Sequence, residues 1–166
     1  MQVHVVKSDL LELPVDAIVL PGNSSGVMAE GLALDLRRRA GESVEREIVE
    51  CAPIAVGAAV VTAAGDLPAR HVIHAPTVEE PGLKVSIEAV RRATRAALLA
   101  TTANGFAVIA FPLMVLGPTE LTIDETARAM VDELRAHRQP HPEAVYLVAR
   151  GDGVAGAFEQ ALRSGQ

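Results

Sequence analysis

Two stretches of this chain carry residues that can hold a charged small molecule. The first, Pro21-Gly22-Asn23-Ser24-Ser25-Gly26-Val27-Met28-Ala29-Glu30-Gly31, contains three glycines and leads into a helical pattern. The first N–H groups of a helix lack intrahelical acceptors, so an anion can be taken there by backbone alone. The second, Pro112-Leu113-Met114-Val115-Leu116-Gly117-Pro118-Thr119-Glu120, also runs from an apolar strand toward a helix but is mostly apolar and has a single glycine. Other reactive side chains are scattered. His71 and His74, three residues apart on a strand, point to opposite faces and have no third ligand at matching spacing, so they read as core or edge histidines. His137 and His141 flank Pro140 in a loop and are expected to be exposed. Cys51 has no His or Lys beside it in sequence and is expected to be a small buried apolar residue.

The elements that must position these loops follow from periodicity. Val3 to Lys7, Val15 to Leu20, Gly57 to Thr62, Arg70 to Ala75, Val108 to Phe111 and Ala144 to Val148 are short β-rich or apolar runs that read as strands. Gly57–Thr62 and Arg70–Ala75 are separated only by Ala64-Gly65-Asp66-Leu67-Pro68 and are expected to be neighbours. Glu30 to Ala40, stopped by Gly41, reads as a helix; so do Ser43 to about Cys51, Ser86 to about Ala103, Asp124 to His137 and Ala155 to Leu162. Apolar strands interleaved with amphipathic helices mean a sheet covered on both faces, hence an α/β fold: a three-layer α/β/α sandwich. Too few residues separate Val3–Lys7 from Val15–Leu20 for a crossover helix, which predicts a mixed, mostly parallel sheet. Ligands of such sheets bind beyond the carboxyl ends of the strands, which selects the segments after Leu20, Phe111 and Val148.

Composition narrows the chemistry. The chain has 166 residues, 49% apolar and 22% charged, enough for one domain with a sizeable core, so residues 1–166 are expected to form a single domain. The apolar run from Phe106 to Leu116 is far shorter than the roughly 20 residues a membrane span needs, so no membrane association is expected. The N-terminus lacks a basic segment followed by an apolar stretch and a small-residue cleavage site, which makes the cytoplasm the expected compartment. One cysteine excludes a disulfide within the chain and argues against a cysteine-based zinc site. A net charge of −6, with three Phe, one Tyr and no Trp, argues against nucleic-acid binding by bulk charge or base stacking. No Gly-x-Gly-x-x-Gly follows either early strand, so a dinucleotide redox enzyme is disfavoured.

An ordered set of segments then resembles a known family. Asp9-Leu10, Val15-Asp16-Ala17-Ile18-Val19, Asn23, Gly31-Leu32-Ala33, Ala40-Gly41, Val56-Gly57-Ala58-Ala59-Val60-Val61-Thr62, Leu67-Pro68, His71-Val72-Ile73-His74-Ala75 and Ile109-Ala110-Phe111-Pro112 are collinear with the macro domain over about residues 3 to 150. The resemblance implies a macro-domain-like fold that binds ADP-ribose or an ADP-ribosylated protein without a further cofactor or metal. Some members hydrolyse ADP-ribosyl bonds or deacetylate O-acetyl-ADP-ribose. Asp9 stands where family members accept the adenine exocyclic amine. Asn23 stands at the second asparagine of the Asn-Ala-Ala-Asn segment that contacts the distal ribose, with Leu20 at the first asparagine position.

The same resemblance implies a ligand site built from Asp9, Leu10, Asn23, Ala29, Glu30, Gly31, Leu32, Val115, Leu116, Gly117 and Arg150. Departures are concentrated at the phosphate loops. Ala29-Glu30-Gly31 replaces a glycine run, so Glu30 either repels a phosphate or turns to solvent as an acidic residue at a helix start. In the second loop Gly117 alone matches, and Pro118 has no N–H to donate. Arg150 follows the last strand, where an aromatic residue is common, and can stack on adenine or remain a solvated arginine. Ala33 occupies the acidic position of hydrolase members, and Lys7 and Lys84 lie outside the candidate loops, so catalysis would rest on Asn23. Two readings stay open: an ADP-ribose-binding module, and a degenerate macro fold that acts through protein contacts.

Overall fold

A computed structural model describes residues 1–115 and 118–165. Strands β1 (Gln2–Lys7), β2 (Ala17–Leu20), β3 (Val60–Ala63), β4 (His71–His74), β5 (Val108–Phe111) and β6 (Ala144–Ala149) alternate with helices α1 (Gly31–Ala40), α2 (Ser43–Glu50), α3 (Ile87–Asn104), α4 (Ile123–Ala136) and α5 (Asp152–Arg163). The six strands form one sheet in the order β1-β6-β5-β2-β4-β3. The α/β/α sandwich and its mixed, mostly parallel sheet agree with the sequence reading.

The location of the mixed pairing does not follow the reason given for it. The antiparallel pair is β3 with β4, joined by the short Ala64–Pro68 turn, whereas β1 and β2 are not neighbours. β1 instead runs parallel to β6, with Val5 opposite Leu147, and β2 lies between β4 and β5. A short 3-10 turn over Leu10–Glu12 lets the chain leave β1 and re-enter at β2, with β6 and β5 between them, without an intervening α-helix.

Alternation along the strands divides the core. Val19, Ile73, Ile109, Phe111, Val145 and Leu147 face α3, α4 and α5, and Phe158 of α5 is fully buried against them. Ile18, Leu20, Val72, Ala110 and Val148 face the other way, beneath Leu36 of α1 and Val44 and Ile48 of α2. Every residue of β2 is buried, as a strand covered on both faces must be.

The helix boundaries have local causes. Ser86 accepts from Ala89 N–H at 3.1 Å and caps α3, while Thr122 and Glu125 form a reciprocal capping box at the start of α4. Two side-chain expectations are overturned. Cys51 is exposed, because Val44 and Ile48 rather than position 51 lie on the inward face of α2. His137 and His141 are half-buried rather than exposed: His137 Nε2 lies 2.8 Å from the carbonyl of His141 and 3.3 Å from Thr102 Oγ1, closing the turn after α4.

Candidate functional site

Five of the six strands run parallel, so the segments after β1, β2, β5 and β6 emerge at one edge of the sheet. Between them lie two cavities that meet at Gly31. One, of about 410 Å³, is walled by Asn23, Val27, Ala29, Glu30, Gly31 and Leu83 together with Pro21, Gly22 and Pro118. The other, of about 390 Å³, is walled by Leu10, Gly31, Leu32, Asp35, Val115, Val148 and Arg150. The structure therefore gathers Leu10, Asn23, Ala29, Glu30, Gly31, Leu32, Val115 and Arg150 in one groove; Leu116 and Gly117 lie outside the described residues.

The junction is the N-terminus of α1. Gly31 has φ +59°, a conformation that side chains with a Cβ rarely adopt, and no atom lies within 4 Å of where a Cβ would stand. The helix's first internal bond is Leu34 N–H to Glu30 O at 3.2 Å. The N–H groups of Gly31, Leu32 and Ala33 precede it and end the helix dipole beside the groove. Glu30 precedes the helix in extended conformation (φ −154°), its carboxylate making no capping hydrogen bond.

Asp9 sits at the Leu10 end and is committed to the protein on both oxygens. Oδ1 accepts from Leu11 N–H at 3.0 Å, Oδ2 accepts from Arg39 Nη1 at 2.7 Å, and Arg150 Nη2 lies 3.5 Å from Oδ1. Partial burial pushes the Asp9 carboxyl up, but the Arg39 hydrogen bond, the Leu11 N–H and the two guanidinium charges outweigh it and hold the group below the ordinary carboxylate range. Arg150 is 64% exposed in its side chain and reaches over this cavity toward Asp9, a link that neither the 3-10 turn nor the last strand reveals alone. Arg39 was absent from the sequence-derived site. Its position in the last turn of α1 was visible, but its partner thirty residues earlier was not.

At the other end Asn23 organises its own loop. Its Oδ1 accepts from Ser25 N–H at 3.0 Å and from Ser25 Oγ at 2.6 Å, while Nδ2 donates to Val27 O at 3.1 Å. One Nδ2–H remains uncommitted. The loop is pinned from outside by Met28 N–H to Glu45 Oε2 at 2.7 Å and by Ile54 N–H to Ser24 O at 2.8 Å. Beneath it, His74 lines a small space with Asn23, Gly26 and Met28. His74 is 4% exposed, and burial pushes its pKa down to about 3. Its Nε2 lies 2.9 Å from Thr62 Oγ1, which also lies 3.0 Å from the carbonyl oxygen of Ala63. Val27 and Pro118 lie in the two loops selected from sequence without being assigned to the site, whereas Leu83 was missed, because it lies in a loop that follows none of the selected strands.

The match to the family model described as Macro domain covers residues 19–130, more than half of the chain. The chain belongs to the macro-domain family. It is 44% identical to an uncharacterized protein of Aquifex aeolicus over 162 residues, covering 98% of both chains. It is 34% identical over 172 residues to a protein of Enterobacter sp. named O-acetyl-ADP-ribose deacetylase, covering 97% of this chain and 93% of that one. A solved mutant of the Oceanobacillus iheyensis macrodomain with ADPR superposes at a TM-score of 0.84 with 19% identity, covering 96% of this chain and 90% of that one. At that identity the superposition speaks for the fold of this macro domain. Among the described residues no cluster of His, Cys, Asp or Glu is placed to hold a metal ion, and no helix is long and apolar enough to cross a membrane.

Proposed function

We propose that residues 1–166 act as one macro-type module that binds ADP-ribose or an ADP-ribose derivative along this groove. The observation that carries the reading is the meeting of two cavities at Gly31, the first residue of α1, whose first N–H groups precede the helix's first internal hydrogen bond. A diphosphate suits that place because backbone donors and the helix dipole both favour negative charge. The Asp9 end takes the adenosine: an ionised carboxylate accepts the adenine amine, and the Arg150 guanidinium offers a planar face for the ring. The remaining Nδ2–H of Asn23 faces the distal ribose. The ligand named for the Oceanobacillus relative and the activity named for the Enterobacter relative support this choice of ligand.

Calorimetric titration with ADP-ribose, with AMP and NAD as controls, tests it. Micromolar binding selective for ADP-ribose is expected; no heat at millimolar ligand from a folded sample overturns it and leaves the protein-contact reading. Turnover has its own test. Acetate release from O-acetyl-ADP-ribose should vanish in Asn23→Ala, and persistence removes Asn23 from the chemistry.

A further inference from the structure

Among the described residues, Glu30 is the one ionisable side chain in the wall of the Asn23 cavity. Among the described residues its carboxylate has neither a hydrogen bond nor an ion pair, and it is exposed. Lys84, the residue after Leu83 in that wall, is already engaged: its Nζ lies 2.7 Å from Glu120. The cavity mouth carries two apolar lips, Val27 at 43% and Leu83 at 48% exposure, which face solvent although both are large hydrophobic residues. An aliphatic stem with a charged tip matches this pairing, since such side chains lay their methylenes on apolar surface and keep the charge at a polar partner.

From this we infer that Glu30 makes the distal cavity selective for a cationic substituent, the guanidinium or ammonium of a side chain attached to the distal ribose. The inference rests on the ADP-ribose reading, which orients the ligand with adenosine at Asp9 and therefore its attachment point in the Glu30 cavity. The stem of an arginine lies between Val27 and Leu83 and its guanidinium donates to the Glu30 carboxylate; a neutral or acidic attachment forfeits or opposes that contact.

The test compares three ligands by calorimetry on wild type and Glu30→Gln: free ADP-ribose, a short peptide ADP-ribosylated on arginine through the guanidine nitrogen, and the same peptide ADP-ribosylated on serine. For a solvent-exposed pair the arginine conjugate is expected to bind about two- to fivefold more tightly than the serine conjugate in wild type. That preference should shrink in high salt and disappear in Glu30→Gln, while free ADP-ribose binds the variant at least as well. Equal affinities in wild type, or a preference that survives Glu30→Gln, overturn the inference while leaving the ADP-ribose reading intact. Failure of free ADP-ribose to bind either protein overturns both.

Discussion

The two ends of the groove are built on opposite electrostatic plans. At the Asp9 end the Asp9 carboxylate is answered by the protein itself, shared by Arg39, Arg150 and a backbone N–H before any ligand arrives. At the Glu30 end the neutral Asn23 amide is spent mainly on its own turn, and among the described residues the Glu30 carboxylate stands without a partner. A preorganised acceptor loses little on binding and gives steady recognition of one group. An unpartnered charge instead makes affinity depend on what the ligand brings. The floors differ too, since the Asn23 loop rests on a buried neutral histidine.

The largest effect expected from this difference is in stability against pH. His74 is neutral in the fold down to about pH 3, whereas in the unfolded chain it takes a proton near its ordinary value of 6.5. The unfolded state therefore binds more protons between those values, and stability falls as pH falls through that window, by about 2 kcal/mol at pH 5 and at most ~5 kcal/mol near pH 3. Asp9 has a lowered pKa, so its contribution is complete above the ordinary carboxylate range and is lost only below about pH 4. Melting curves at pH 7 and pH 5 should show the loss in wild type and a reduced loss in His74→Gln; an unchanged pH dependence in the variant would move the sensitivity away from the distal floor.

Next in size is the Asp9 end. Asp9→Ala should weaken ADP-ribose about 10- to 100-fold, the range for a hydrogen bond to a charged group. The inosine analogue, which lacks the exocyclic amine, should weaken far less. An unchanged ratio of the two ligands would remove Asp9 from adenine recognition.

Gly26→Ala addresses the distal loop with a smaller effect. Gly26 has φ +78°, and an added Cβ would stand 3.3 Å from Ile48, so a destabilisation of about 1 kcal/mol or more is expected. Loss of distal-ribose affinity with AMP binding preserved would locate the damage at one end; equal loss for both ligands would show the ends to be mechanically coupled. The smallest effect belongs to Glu30→Gly, which should tighten free ADP-ribose a few-fold by removing a carboxylate from the groove, on the order of 0.5 to 1 kcal/mol for an exposed charge. No change would mean that the carboxylate stays in solvent when the ligand is bound.

Much of this architecture was legible in the chain. The burial of β2 on both faces is written in Ala17-Ile18-Val19-Leu20, and the start of α1 in Glu30-Gly31 followed by good helix formers, because strand and helix periodicity are local properties. The ordered segments that mark the family were also legible, and with them the loops that line the groove.

What stayed hidden required contacts between distant residues. The surroundings of Asp9 depend on Arg39 and Arg150, brought in by α1 and by the segment after β6. Cys51 could not be placed because its exposure depends on which face of α2 meets the sheet. Periodicity, capping and turn chemistry act over a few residues, so sequence alone determined the elements, their order and the loops that line the groove. Strand order, the answered charge at Asp9 and the unanswered one at Glu30 were decided by tertiary structure, because pairing and electrostatics act between residues that meet only once the chain has folded.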